Sequence, residues 1–424
     1  MKPQITTLES GLRVLTIPNP NVETVNVMVL TSIGSRIENE KQLGIAHFLE
    51  HMAFKGTPAR PNPIEINREI ELLGARTNAF TWQEFTGYFI MGNKSHLAKY
   101  LDILSDIYLN STFPQAELDK EKGVILEEIK LHKDEPMYRA NDLFFKATFG
   151  ESVLGRSILG TEETVKNMER EDFVNFRGRY SPGNTVVAVS GNTEIAKVLE
   201  EMGCLGDWEG WGSLREGTEE GDFSLKGSVI LENRKSEQAH IRLGIKTCDM
   251  FSDLSPIADV LNAHIGSGLG SVMFETLREK MGLAYYCSSS NIYYKDAGVL
   301  NMSAGVGTER LEEALVGVIG DVRAIIKHGI TEKQLERAKE YIKGGLYMGL
   351  ETTEGLNEYY AFDLLLKGKL EEPIDYAKKI DAVTSRQVQE FLKEKFIPEN
   401  ISLAVVGDYK GKERLEEIVY GEGR

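Results

Sequence analysis

The chain has 424 residues, of which 41% are hydrophobic and 27% charged, with a formal net charge of −16 at pH 7. That length exceeds one ordinary domain and points to two or three, each with its own core. The acidic balance argues against a nucleic-acid partner, which needs clustered Lys and Arg. No apolar run approaches the roughly 20 residues that span a bilayer, so no membrane partner is expected.

At the N-terminus, Pro3, Thr6, Thr7 and Glu9 interrupt what a secretory signal would make an apolar core, and no arginine-rich amphipathic presequence is present. The three cysteines, Cys204, Cys248 and Cys287, are isolated and odd in number. A reducing compartment without structural disulfides is expected, which places the chain in the cytoplasm unless a leader has been removed. Any metal site must then be built from His and carboxylates.

In chain order, strands are expected at 13–17 and 25–30, helical stretches at 43–54, 63–73 and 94–109, and a strand pair at 75–80 and 85–92. Residues 176–191 read as a helix end, a Pro turn, a β-rich run and a Gly stop. Residues 391–407 repeat that order, and Asn184 and Asn400 lie 216 positions apart. A similar offset pairs 46–51 with 259–264 and 118–129 with 335–346, so the chain is a degenerate duplication. Strands at 228–232 and 239–245 open the second half. The expected division is 1–212 and 223–424, with the linker at 213–222 inside a Gly- and acid-rich joining stretch that runs over 203–221. Strands grouped with helices, without strict alternation, indicate an α+β fold of two homologous domains, each a sheet covered by helices on one face.

The stretch at 43–54 contains His47-Phe48-Leu49-Glu50-His51. Residues four apart on a helix lie on one face, so His47 and His51 can hold one metal ion. Glu50 lies beside that stripe, where a carboxylate can take the proton from a metal-bound water. This is the inverted H-x-x-E-H arrangement. A hydrolytic zinc site takes three protein ligands and keeps one position open. The helix-like segment 121–129 supplies the third in Glu128. Glu121, two turns earlier on the same face, orients a ligand, and Glu127 points away into solvent.

With these residues in place, the chain resembles the pitrilysin-type inverzincin peptidases. Within them it is most similar to the group containing the β subunit of mitochondrial processing peptidase and its bacterial and archaeal zinc-protease relatives. Residues 44–57, GIAHFLEHMAFKGT, match that group's signature. Its third ligand follows the second His after 76 residues, as Glu128 follows His51 across residues 52–127. The resemblance implies the mostly antiparallel metallohydrolase fold of that group and a zinc metalloendopeptidase for unfolded peptides or extended segments, with one Zn2+ per chain. It implies substrate binding along an edge strand at Asn78, Ala79, Phe80 and Thr81. It also implies that Arg278 and Tyr285, seven apart, contact substrate and help stabilise the oxyanion. In the second half Val260, Ala263 and Gly345 stand where His47, Glu50 and Glu128 stand in the first, and only His264 survives. Such chains pair around a chamber. Because this one keeps both the ligands and the Arg/Tyr pair, a homodimer is expected, with a paralogue heterodimer as the alternative. The rival functions are a non-catalytic core-type subunit of the same fold and a dedicated protease for one peptide precursor.

Overall fold

The structure is a computed structural model, and it describes residues 2–210 and 227–421. The expected linker at 213–222 lies outside the described residues, but the start of the joining stretch expected from residue 203 is not a linker, since Leu205 and Trp208 are buried in the core of the first sheet. The first sheet is built from β1 (Gln4–Thr7), β2 (Arg13–Pro18), β3 (Thr24–Thr31), β4 (Arg76–Thr81), β5 (Thr86–Asn93) and β6 (Thr185–Gly191). Its strand order is β1-β2-β6-β3-β5-β4, antiparallel except for β2 with β6. The second sheet comprises β7 (Val229–Asn233), β8 (Gln238–Lys246), β9 (Ala284–Tyr293), β10 (Gly298–Gly307) and β11 (Ile401–Gly407). Its order, β7-β11-β8-β10-β9, repeats that of the last five positions of the first sheet, again with one parallel pair at β7 and β11. The duplication read from the two Asn turns is therefore a duplication of topology, and each half is the mostly antiparallel α+β sheet that was expected.

In the first sheet, Val14, Val25, Val27, Val29, Tyr88, Ile90, Val187 and Val189 face helices α1 (Ile45–Ala53), α2 (Pro63–Leu72) and α3 (Leu97–Leu109) in one core. The other face is apolar as well, so cover on one face alone does not suffice. Leu15, Ile17, Met28, Leu30, Val186 and Ala188 pack against Leu356, Tyr360 and Ala361 of helix Thr353–Phe362. In the second unit, Ala140, Phe144 and Phe145 of α5 (Pro136–Phe149) play the same part over Val299, Ala404 and Val406. Strands β6 and β11 are buried along their whole length, the mark of a strand covered on both sides.

This second layer alters the expected division at 212/223. Among the described residues one compact unit holds 2–130, 157–210 and 348–371, and the other holds 131–156, 227–347 and 372–421. Helix α4 (Gln115–Asp134) starts in the first unit and leads the chain into the second. Helix Glu332–Gly349 does the reverse. Each half of the sequence thus lends one helix to the other's sheet.

Candidate metal centre

Helix α1 starts at Gly44, whose φ of +92° is a left-handed conformation that favours glycine. A Cβ there would also lie 2.5 Å from the Leu159 carbonyl oxygen. Gly44 has no side chain to cap the helix, and the buried carboxylate of Glu38 does so from outside. It accepts the Gly44 and Ala46 N–H groups, each at 2.8 Å. A negative charge at a helix N-terminus meets both the unpaired N–H groups and the positive end of the dipole. The helix buries Ile45, Ala46, Phe48, Leu49, Met52 and Ala53, which leaves His47, Glu50 and His51 on the remaining side.

Helix α4 brings the third group. Its buried side is Leu118, Glu121, Ile125 and Ile129, and Glu128 lies beside that row. Ligand atoms of His47, His51 and Glu128 all lie within 4.8 Å of one another, the one such His, Cys or carboxylate group of three or more among the described residues. The Glu128 carboxylate is 3.8 Å from His47 Nε2 and 4.0 Å from His51 Nε2. Donors about 2.1 Å from a common zinc stand roughly 3.4 Å apart, so small side-chain adjustments close the set. His51 Nδ1 is 2.9 Å from Glu121 Oε1. An ionised carboxylate only accepts, so Nδ1 carries the hydrogen, and in the neutral imidazole that leaves the Nε2 lone pair for a metal. Two imidazoles and one carboxylate, with one imidazole already oriented, are a donor set that fits zinc. Glu127 is solvated and paired with Lys130.

The electrostatics separate the carboxylates. Burial holds the Glu50 carboxyl above its ordinary range and Glu128 adds to this, against the opposing effects of Thr81 and His51. Burial would also raise Glu121, but its hydrogen bonds to His51 and Lys55 hold it below the usual carboxylate range. For His51 burial works against the charged form, yet Glu121, Glu50 and Glu128 together raise its pKa.

β4 is the outer strand of its sheet, paired only with β5 among the described residues. Its four named residues divide between two faces. Thr81 Oγ1 donates to Glu50 Oε2 at 2.6 Å, and Ala79 packs on the same core as α1. The Phe80 ring instead packs against Phe85 and Phe362, so its side chain cannot serve the metal side and only its backbone remains for a substrate. Asn78 is exposed on that same second face.

In the second unit Arg278 lies in a π-helix, Phe274–Lys280, and Tyr285 at the start of β9. Ala284 pairs with Val306 and Tyr286 with Gly305, so Tyr285 is the extra residue of a β-bulge. Arg278 Nη1 donates to the carbonyls of Ala284 at 2.6 Å and Tyr285 at 3.4 Å. The two residues are thus held together, with Tyr285 64% exposed. His264 is buried, and burial followed by the nearby Arg337 pushes its pKa down to about 4.

Lys55, Glu38 and the tie from Thr81 to Glu50 were missed in the sequence. Lys55 Nζ lies 2.6 Å from Glu121 Oε2. Its signal was present, because His47, His51 and Lys55 recur every four residues. Glu38 had none, since it reaches the helix across an irregular loop.

Two related α+β units, one carrying a paired-histidine and carboxylate centre suited to a divalent metal, define a protein of the two-domain metallohydrolase kind. The chain belongs to the M16 peptidase family. Residues 13–162 match the family model described as insulinase (peptidase family M16), and residues 167–342 match the peptidase M16 inactive domain. The chain is 33% identical over 401 residues to the uncharacterized zinc protease YmxG of Bacillus subtilis, covering 94% of this chain and 97% of that protein. A protease from Helicobacter pylori has the same fold, with a TM-score of 0.89 at 23% identity over 96% of this chain and 99% of that one. So does a chain in the complex III2 structure from Candida albicans, with a TM-score of 0.83 at 19% identity over 98% and 99%.

Proposed function

We propose that the chain is a zinc-dependent endopeptidase acting on unfolded peptides or extended segments. The observation that carries this reading is the convergence of His47, His51 and Glu128 beside a half-buried Glu50 that is tied to an edge strand. Zinc, when bound, supplies Lewis acidity to the scissile carbonyl and to water. Glu50, raised by burial, is suited to take a proton from the attacking water and hand it to the leaving amine. Glu121 holds His51 in the tautomer that leaves Nε2 free. The outer edge of β4 offers backbone N–H and C=O groups on which a peptide adds as a further strand, a mode that reads backbone more than side chains.

The family resemblance completes the reading with a homodimer that encloses a chamber. The centre of one chain faces Arg278 and Tyr285 of the other, and each chain carries one zinc. The Arg278 guanidinium and the Tyr285 hydroxyl are donors of the kind that stabilise a developing oxyanion.

The test is digestion of a mixed peptide library by zinc-loaded enzyme, chelator-treated enzyme and Glu50→Gln. Internal cleavage by the loaded wild type alone supports the reading. The likeness to a chain in a complex III structure favours one rival, a non-catalytic core-type subunit. Absence of zinc-dependent cleavage would select it. Cleavage confined to one or two library members would select a protease dedicated to a single precursor.

A further inference from the structure

The side chain of Glu121 is only 7% exposed, and each of its oxygens has its own partner. Oε1 takes His51 Nδ1 at 2.9 Å, and Oε2 takes Lys55 Nζ at 2.6 Å. Lys55 sits one turn beyond His51, just past the end of α1, with its N–H on the Met52 carbonyl. The row His47, His51, Lys55 on one helix and its extension thus meets the row Glu128, Glu121 on α4. Three carboxylates gather here, Glu50, Glu121 and Glu128. Lys55 is the one Lys or Arg among the described residues in an ion pair with any of them.

We propose that Lys55 is a positioning residue for metal binding, acting through Glu121 on His51. Its ammonium takes the carboxylate oxygen that His51 does not use. That fixes the carboxylate plane, so the other oxygen accepts the Nδ1–H and Nε2 is presented toward His47 and Glu128. The same contact ties the end of α1 to α4, the two helices that carry all three ligands. Without the ammonium, one oxygen of a buried carboxylate loses its partner, which is strongly unfavourable. Glu121 relieves this by turning away from His51 or by swinging toward the metal as a competing donor, and either movement disturbs the site. An opposing effect exists, since a cation near a bound dication repels it. Here the charge lies beyond a carboxylate that offsets it, so orientation outweighs repulsion. Lys55→Met measures the sign directly.

The inference rests on the zinc-peptidase reading, and its test begins from metal-free protein. Zinc affinity is measured by chelator competition, and the d–d absorption of the cobalt(II) form reports ligand geometry, for wild type, Lys55→Met and Lys55→Arg. Lys55→Met is expected to bind zinc about tenfold or more weakly, the range for losing an outer partner of a ligand, with an altered cobalt spectrum. Lys55→Arg restores most of the affinity and the spectrum. Lys55→Met affinity within twofold of wild type, or tighter, overturns the proposal, as does an arginine variant no better than the methionine one. If Lys55→Met fails to fold by circular dichroism, Lys55→Ala, which removes both the donor and the charge, carries the same comparison. Wild-type protein that takes up no zinc sinks the peptidase reading itself, whereas zinc uptake indifferent to Lys55 sinks only this inference.

Discussion

The hydroxyl of Thr81, the last residue of β4, donates to the carboxylate of Glu50 on α1 at 2.6 Å. One hydrogen bond therefore couples the strand proposed to hold the substrate backbone to the group proposed to move the proton. Thr81→Val keeps the shape and removes the donor. Its kcat is expected to fall about tenfold through loss of base orientation, with zinc affinity unchanged. Thr81→Ser restores kcat. A valine variant that changes only KM would show that Thr81 serves the strand alone.

How legible all this was depended on the distance over which the determining contacts act. The histidine pair and Glu50 declare themselves within one helix turn, and the expected strands at 75–80 and 85–92 fall within about one residue of β4 and β5. Glu121 and Glu128 share a helix face, so their joint arrival at the site also follows from period. Periodicity does not say which sheet an amphipathic helix will meet. Phe144 in α5 and Tyr360 in Thr353–Phe362 look like ordinary core residues from either side of the duplication, so the exchange of helices could not be read. The bulge at Tyr285 and the reach of Glu38 to α1 arise from backbone irregularity, for which sequence spacing carries no signal.

Arg278 spans the bulge by donating to the carbonyls of Ala284 and Tyr285. Removing it takes away a cation and loosens the backbone that presents Tyr285. Arg278→Ala is expected to lower kcat/KM about 100-fold, the scale for losing one oxyanion donor. Zinc content measured by metal analysis should stay at the wild-type value, because the ligands belong to the first unit. Tyr285→Phe separates the two contributions, since it leaves the arginine bridge intact and removes only the hydroxyl. Equal turnover in wild type and Arg278→Ala would end the assigned role.

Glu38 serves α1 as an external cap through two N–H groups at once. Glu38→Gln leaves one good acceptor and sets an amide NH2 against an N–H donor. For a buried, charge-assisted pair the cost is about 1–3 kcal/mol. A lower thermal midpoint is expected, together with weaker zinc binding, since both histidines ride on the helix whose start is loosened. Glu38→Ala should be at least as damaging. Unchanged stability in both variants would mean that the cap is dispensable.

His264 supplies a pH test in the second unit, away from any metal ligand. It occupies the position that matches His51, but it is buried and held to a pKa of about 4, against an ordinary 6.5. Between those values the unfolded chain takes a proton that the folded chain refuses. The contribution to stability is therefore present above pH 6.5 and is lost as pH falls toward 4. Each pH unit in that window costs roughly 1.4 kcal/mol, so the loss at pH 5 relative to pH 7 amounts to about 2 kcal/mol. Urea unfolding at both pH values, in wild type and His264→Leu, isolates this from the carboxylates that titrate in the same range. The leucine variant should lose less stability between pH 7 and pH 5, by about that amount. Identical losses in the two proteins would show that His264 accepts its proton in the folded state, and that burial beside Arg337 does not hold it neutral.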